Sequence, residues 1–434
     1  MTWNFHRYYS DSTDGLISKL RLAKERIEML KALRKKVRVR TKEVFAEAKE
    51  LAKTSNASIS LESFTARVAS TRLKHLSPAA QVEVAQLIRG MEEDARRAFL
   101  SLNPRFWTQG SFQYDTLNNP YATPPQEMDI DDGTYLPMAI FEDRPVIGHR
   151  LLLLLVDSSL NSLADENPGW LFEANSKCAR IKIPEMNTHF DVPMYAIPED
   201  QFILKEAALA KSMGTESFES AEPFKDSLFF NRADYELDEN SVNLAVRGEG
   251  QKWIKSDPKI VEDWFNDSCL RIGPHLREIC RFMKSWRDVQ WVKGGGPSSI
   301  SLMAATVEIL DRIPHDKADL GKTMKIVAHN FSAEFSKGVE SPDHTDEKPL
   351  FPPHYEHQVR EREIMEKLSE LEGILDQAEE AQTKELALQS ISRAFGRRVT
   401  KSELIVTVQS APAFSEAPST GSKAASISTT MASG

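Results

Sequence analysis

From Asp14 to about Lys53 apolar residues recur every three to four positions (Leu20, Ile27, Leu30, Leu33, Val37, Val44, Ala48, Leu51), with charges between them. This spacing predicts one or two long helices. Pro78 to Leu100 predicts another helical stretch, opened by Ser77-Pro78. The period then changes. Between Phe106 and Ile197, short β-type runs alternate with turns: Met128 to Met138, Arg150 to Val156 (or the start of a helix), Cys178 to Ile183 and Thr188 to Ile197. Ser212 to Asn243 is polar and punctuated, a link between lobes. Beyond it Ile260 to Gln290, Ser298 to Ile313, Lys322 to Phe335 and Val359 to Phe395 read as helices, interrupted by a Pro/Asp/His-rich loop from Ser341 to His357. The pattern predicts an α+β protein. Residues 1–235 form a strand-bearing lobe with N-terminal helices, 236–408 a helical lobe, and 409–434 a tail.

Composition marks off that tail and narrows the compartment. Of the 26 residues from Gln409 to Gly434, 20 are Ala, Ser, Thr, Pro or Gly, too little apolar surface to offset the entropy of ordering, so the tail is expected to be disordered. Cys178, Cys269 and Cys280 are too few and too scattered for a disulfide framework, and none pairs with His at zinc-ligand spacing. The longest apolar run, Leu151 to Val156, is far below the roughly 20 residues of a membrane span, and the polar start lacks a signal-peptide core. A cytoplasmic protein without membrane association is expected. With 55 Lys+Arg against 64 Asp+Glu the chain is acidic overall, so binding to nucleic acid would need a local basic patch.

Candidate chemistry concentrates in two segments, Thr108-Gln109-Gly110-Ser111-Phe112-Gln113-Tyr114 and Met128-Asp129-Ile130-Asp131-Asp132-Gly133. On a strand, Asp129 and Asp131 share one face while Met128 and Ile130 face a core. Two carboxylates at that spacing repel unless a cation lies between them, and Mg²⁺ prefers carboxylate and phosphate oxygens. Gly110 lets the backbone approach a phosphate, and Ser111 adds a hydroxyl. A third carboxylate, Asp191, lies in the alternating run Thr188-His189-Phe190-Asp191-Val192, paired with Arg180 to Ile183 across a turn containing Pro184 and Asn187. Three carboxylates facing a Gly-Ser turn suit two-metal phosphoryl transfer. Read alone, the same acids also describe solvated strand positions and a turn. A separate stretch, Lys31 to Lys42, holds seven Lys/Arg in twelve positions, and Arg34, Arg38 and Lys42 at i, i+4, i+8 line one helix face. That face is either solvated or an anion-binding groove closed by Arg105, Phe106 and Trp107.

These motifs, together with Gly296-Pro297-Ser298-Ser299-Ile300-Ser301 and Glu347-Lys348-Pro349-Leu350-Phe351-Pro352-Pro353, make the whole chain resemble the bacterial nucleotidyltransferases related to animal cyclic GMP-AMP synthase and oligoadenylate synthetase. The resemblance implies a polymerase-β-like nucleotidyltransferase lobe packed on a helical lobe, with the active site in the cleft between them. It implies a cyclase that makes 3′,3′-cyclic GMP-AMP from ATP and GTP with two Mg²⁺ ions (Mn²⁺ a substitute) as a second messenger of antiphage defence. Asp129, Asp131 and Asp191 would be the metal-binding catalytic acids. Gln109, Gly110, Ser111 and Tyr114 would serve the nucleotides, Arg180 and Lys284 would supply positive charge, and Ser298 and Asp346 would recognise guanine. Arg34, Arg38, Lys42, Arg105, Phe106 and Trp107 would form a regulatory site for a folate-like ligand. Gly434 would be joined to other proteins by an E1/E2-like partner, and a downstream effector, a phospholipase, would sense the product; direct activation by DNA or RNA is not expected. One departure is the 17 residues between Ser111 and Asp129, more than in most members of the wider superfamily, with Asn119 to Pro125 expected as a loop beside the site. A template-independent oligonucleotide polymerase and an inactive nucleic-acid-binding module are the competing readings.

Overall fold

Apolar side chains gather into two large cores and a third, smaller one, and these cores define how the chain is divided. The computed structural model describes residues 2–56, 58–138, 140–141, 144–145, 148–204, 242–248, 252–342 and 348–407. Asp346, the tail with Gly434, and all but the last two residues of the expected link Ser212 to Asn243 lie outside the described residues.

Among the described residues, eight strands form one sheet: β1 (Arg105–Gln109), β2 (Met128–Pro137), β3 (Leu171–Ala174), β4 (Ala179–Ile183), β5 (Thr188–Val192), β6 (Met194–Ile197), β7 (Asn243–Val246) and β8 (Lys252–Lys255). β2 is its spine. On one edge β1 runs antiparallel to it, Gln109 opposite Asp131 and Arg105 opposite Tyr135. On the other edge β5 and β6 run parallel to it in one unbroken register, Met128 opposite Thr188 and Thr134 opposite Met194. Pro193, which has no N–H to donate, separates the two strands without shifting them. Beyond them the sheet forks, with β4 and β3 flanking β5 and β7 and β8 flanking β6.

The back of the sheet carries Met128, Ile130, Leu136, Ile181, Phe190, Val192 and Met194 and packs on two helices, α1 (Lys24–Lys53) and α2 (His149–Glu166). α1 realises the predicted amphipathic stripe, with Leu30, Val37, Val44, Ala48 and Leu51 buried. Of the two readings of Arg150 to Val156, the strand is corrected and the start of a helix holds: this run opens α2. Leu151 to Val156 are all buried, because α2 is enclosed on every side, and a helix apolar all round shows no period to distinguish it from a core strand. Buried Ser159 and Ser162 keep its α1-facing side narrow, the Ser159 and Thr41 hydroxyls meeting at 3.1 Å, while Ser158 donates to Arg72 O. The predicted helix from Pro78 to Leu100 is two, Pro78–Arg89 and Glu93–Ser101, the first capped by the Ser77 hydroxyl as its sequence signals.

The helical lobe comprises α3 (Pro258–Ile272), α4 (His275–Gln290), α5 (Ser299–Arg312), α6 (Leu320–Ser336), α7 (Val359–Glu379) and α8 (Lys384–Phe395). Gly273, at φ +130°, and Pro274 divide the predicted Ile260 to Gln290 helix, and residues 380–383 divide Val359 to Phe395. Trp3, Phe5, Tyr8, Tyr9, Leu16, Ile17 and Leu20 are buried in this lobe's core, and a short antiparallel ladder pairs Trp3 with Thr407. The first twenty residues and the β7–β8 hairpin therefore each pack across the expected division at residue 235. Among the described residues no helix is long and apolar enough to cross a membrane.

Candidate active site

Alternation along β2 directs Asp129, Asp131 and Tyr135 to the front of the sheet and Asp132 to the back. The parallel register sets His189 beside Asp129 and Asp191 beside Asp131, and the β4–β5 register sets Arg180 beside Asp191. All three predicted acids thus share one face, as the sequence expectation had it. Asp191 is held by Arg180 through two hydrogen bonds, Nε to Oδ1 at 2.6 Å and a terminal nitrogen to Oδ2 at 2.7 Å. Asp129 Oδ1 lies 3.0 Å from His189 Nε2, and His189 Nδ1 is 2.8 Å from Glu127 Oε2. Burial and the neighbouring charges of Asp129 and Asp191 push the Asp131 carboxyl up to about 8, partly countered by His189 and Arg180. Burial by itself would lower the His189 pKa, but the Asp129 and Glu127 carboxylates outweigh it and the net shift is upward.

The turn after β1 is fitted to these acids. Gly110 has φ +65°, and a Cβ built there would stand 2.2 Å from Asp131 Oδ2, so the carboxylate lies against backbone that only glycine leaves open. Ser111 follows, half-buried, in a one-turn helix Gly110–Gln113. The helical lobe fixes this segment from behind. Glu262 of α3 accepts from Trp107 Nε1 and Gln113 Nε2, both at 3.1 Å. On α4, Arg277 donates to Tyr114 O, Arg281 to Leu117 O and to the Asp115 carboxylate, and Lys284 to Thr116 O.

Other predicted site residues are placed differently from one another. The Gln109 amide donates to Tyr135 Oη at 2.9 Å and accepts from Tyr195 Oη at 3.3 Å, so its side chain reaches the stacked tyrosines of the sheet's upper front. The Tyr114 ring is buried beside Phe265, 5.9 Å between centroids. Lys284 is buried, and that burial lowers its pKa to about 7. Ser298 is the exposed N-cap of α5, accepting from Ser301 N. The loop from Asn119 to Pro125 leans toward the helical lobe: Asn119 N donates to Leu20 O, and Arg398 donates to Asn119 O.

The basic stripe of α1 lies behind β1. Arg38 makes two hydrogen bonds to the buried Asp132 carboxylate, 2.7 and 2.5 Å, and donates to Thr108 Oγ1, as does Arg34 at 2.6 Å. Arg38 and Lys42 cover the Phe106 ring at 5.6 and 5.8 Å. Arg105 is exposed at the start of the strand. Phe106 and Trp107 do not close one groove together as expected, because successive strand residues face opposite ways: Trp107 turns to the front, against Tyr135 and Glu262.

Sequence reasoning missed His189, Glu127, Glu262 and Arg281. A signal existed for two of them: period two puts His189 on the face of Asp191, and Arg281 belongs to the α4 stripe Arg277, Arg281, Lys284. Among the described residues, Asp129, His189 and Asp191 form the group whose ligating atoms lie within 4.8 Å of one another. Asp129 Oδ1 and His189 Nε2 are both buried and lack a hydrogen-bond partner. Three carboxylates whose charges oppose one another on one sheet face, with His189 Nε2 beside Asp129, fit a divalent cation.

Comparison with known proteins matches residues 104–195 to the family model "Cyclic GMP-AMP synthase DncV-like, nucleotidyltransferase domain" and residues 273–408 to "Cyclic GMP-AMP synthase, C-terminal domain". The cyclic GMP-AMP synthase of Vibrio cholerae (serotype O1, El Tor Inaba N16961) is 58% identical over 439 residues, covering 100% of both chains. A solved structure of a variant of the Vibrio cholerae di-nucleotide cyclase DncV, in complex with ATP, GTP and 5MTHFGLU2, superposes with TM-score 0.85 at 58% identity, covering 94% of this chain and 100% of that one. A structure of the same enzyme with the linear intermediate 5′-pppA(3′,5′)pG gives the same TM-score, identity and coverage.

Proposed function

The chain belongs to the family of DncV-like cyclic GMP-AMP synthases, which are nucleotidyltransferases, and from that premise we propose how its own residues carry the reaction and its regulation. The product is 3′,3′-cyclic GMP-AMP, formed from ATP and GTP with two Mg²⁺ ions and released as a second messenger of antiphage defence. The observation that carries the reading is the convergence of Asp129, Asp131 and Asp191 on one sheet face beside the Gly110-Ser111 turn.

The relative's linear intermediate implies an order. The 3′-hydroxyl of ATP attacks the α-phosphate of GTP and expels pyrophosphate; the guanosine 3′-hydroxyl then attacks the adenosine α-phosphate and expels the second pyrophosphate. Asp129 and Asp131 would hold both ions and Asp191 one of them. When bound, the ions supply an acidified hydroxyl and neutralisation of the triphosphate. Arg180 orients Asp191 through their paired hydrogen bonds, so that its carboxylate takes the proton of the attacking hydroxyl in a fixed geometry. Gly110 and Ser111 bring backbone and hydroxyl to the triphosphate, and Glu262, Arg281 and Lys284 hold that turn against the helical lobe. Ser298 and Asp346 are the candidates for guanine. A carboxylate accepts from the N1 and N2 donors that adenine lacks.

Regulation would enter from behind. Arg34, Arg38 and Lys42 offer cations to a folate-like anion, a reading supported by the 5MTHFGLU2 bound by the Vibrio cholerae relative. Gly434 remains the proposed point of conjugation by an E1/E2-like partner, and a phospholipase the proposed receiver of the product. The cyclase reading is tested by incubating the protein with ATP, GTP and Mg²⁺ and analysing phosphatase-treated products by mass spectrometry. A phosphatase-resistant cyclic GMP-AMP that disappears in Asp129→Asn and Asp191→Asn is expected. Linear oligomers, or activity surviving either substitution, would refute it.

A further inference from the structure

We propose that Arg281 is a positioning residue for the triphosphate: from α4 it holds Asp115 in a left-handed backbone conformation and thereby fixes Ser111. This rests on the reading above that the Gly110-Ser111 turn contacts the triphosphate, and it names what sets the place of that turn.

Four consecutive carbonyls accept from the cations of α4: Tyr114 O from Arg277, Asp115 O and Leu117 O from Arg281, and Thr116 O from Lys284. One helix stripe thus takes every carbonyl of the segment that leaves the turn, and Arg281 is its centre. Its side chain is 5% exposed. A terminal nitrogen reaches the Asp115 carboxylate at 2.7 Å, while Asn118 accepts from the guanidinium and donates back to Arg281 O at 2.8 Å. A planar fork bonded on all sides has one position. Asp115 has φ +52°, a backbone that a Cβ disfavours and that glycine commonly supplies just past a helix. Its carboxylate is 76% exposed, so the ion pair alone is weak, and the grip on the carbonyls at 115 and 117 is what holds the conformation. The consequence appears one residue on. With Asp115 left-handed, Thr116 N turns back and donates to Ser111 O at 2.9 Å, the bond that closes the one-turn helix. Arg281 therefore reaches Ser111 through the backbone, and among the described residues it bonds none of Asp129, Asp131 and Asp191. Loosening it weakens the seat of the triphosphate while the strand-borne acids keep their register, which raises KM and leaves kcat. The linear intermediate must seat its own triphosphate before the second attack, so a weaker seat also lets it escape.

Steady-state kinetics of the full chain with ATP, GTP and Mg²⁺, with linear and cyclic products quantified by mass spectrometry, test the assignment. Arg281→Lys keeps the charge and loses the fork; it should raise KM for GTP at least about tenfold, change kcat less than about threefold, and raise the ratio of linear to cyclic product at least about fivefold. Adding Asp115→Gly, which takes the left-handed φ unaided, should bring KM back to within about threefold of the parent. Two merely structural losses would instead add. A fall in kcat with KM unchanged, absence of that rescue, or an unchanged product ratio would overturn the assignment. If Arg281→Lys fails to fold, the exposed position decides: Asp115→Ala should raise KM above that of Asp115→Gly, and equal values overturn the assignment. Ser111→Ala separates the two levels of the argument. If it raises KM and Arg281→Lys does not, only the role of Arg281 falls; if it leaves KM unchanged, the reading of the turn falls and the role of Arg281 with it.

Discussion

Replacing Gly110 by Ala tests whether the turn after β1 and the Asp131 carboxylate, proposed as a catalytic acid, are fitted to each other. The added methyl would stand 2.2 Å from Asp131 Oδ2 and 3.2 Å from its Cγ. Restoring an ordinary contact requires the carboxylate or the turn to move by about 1 Å. A displacement of that size at a reacting centre costs about 10²-fold in rate, or ~2.7 kcal/mol of transition-state stabilisation. The backbone cost is separate: a left-handed φ of +65° disfavours alanine by about 1–2 kcal/mol, which lowers stability without unfolding a chain of this size. The expected outcome is a fall of about 100-fold or more in kcat/KM for pyrophosphate release, with a melting temperature only a few degrees lower. Gly373→Ala is the matched control. It lies within α7, where an added methyl group would meet no atom within 4 Å, and it should gain up to about 1 kcal/mol while leaving the rate unchanged. Activity of Gly110→Ala within threefold of the parent would refute the packing argument. Loss of activity accompanied by loss of cooperative unfolding would refute it equally.

Two further outcomes follow from buried charges. Arg38→Ala strands the Asp132 carboxylate, which is 1% exposed, with only the Thr108 hydroxyl as partner, and should destabilise by about 3–5 kcal/mol in urea unfolding; a folate-site test is therefore cleaner with Lys42→Glu, whose ammonium only covers Phe106. Lys284, with its pKa lowered to about 7 by burial, binds fewer protons folded than unfolded between about pH 7 and about pH 10. Stability from this residue should therefore rise with pH across that window, and Lys284→Met should remove that part of the slope in parallel denaturation curves.

The acids were legible because strand alternation is a local property: Asp129-Ile130-Asp131 can face only one way relative to Met128 and Ile130, and Asp191 inherits its side from Phe190 and Val192. The turn at Gly110 was legible for the same reason. Hidden from the sequence were the places where a polar group finds its partner far along the chain. Glu262 reads as one acid among many on an amphipathic helix until α3 is brought against Trp107 and Gln113. The bonds of the Gln109 amide to Tyr135 and Tyr195, which arrive from two other strands, leave no trace in its own segment. Arg38 reads as part of a cationic stripe, because its partner Asp132 is masked by the acidic run in which it sits. The helix beginning at His149 was obscured by the opposite problem, a burial so complete that no polar face remained to mark a period.

The ladder between Trp3 and Thr407 makes the helical lobe a split structure, assembled from the first twenty residues and from Pro258 onward, with the sheet inserted between the two pieces. During synthesis the sheet and its two backing helices can fold while the helical lobe still awaits its last strand. Trp3 and Tyr9 must meanwhile stay uncovered, since Ala381, Phe282 and Phe395, which receive them, are made later. At translation rates of about 5–20 residues per second that interval lasts tens of seconds. Residues 3–20 thus stay open to misassociation until the rest of the helical lobe is made, and their burial reports that both pieces of that lobe are in place.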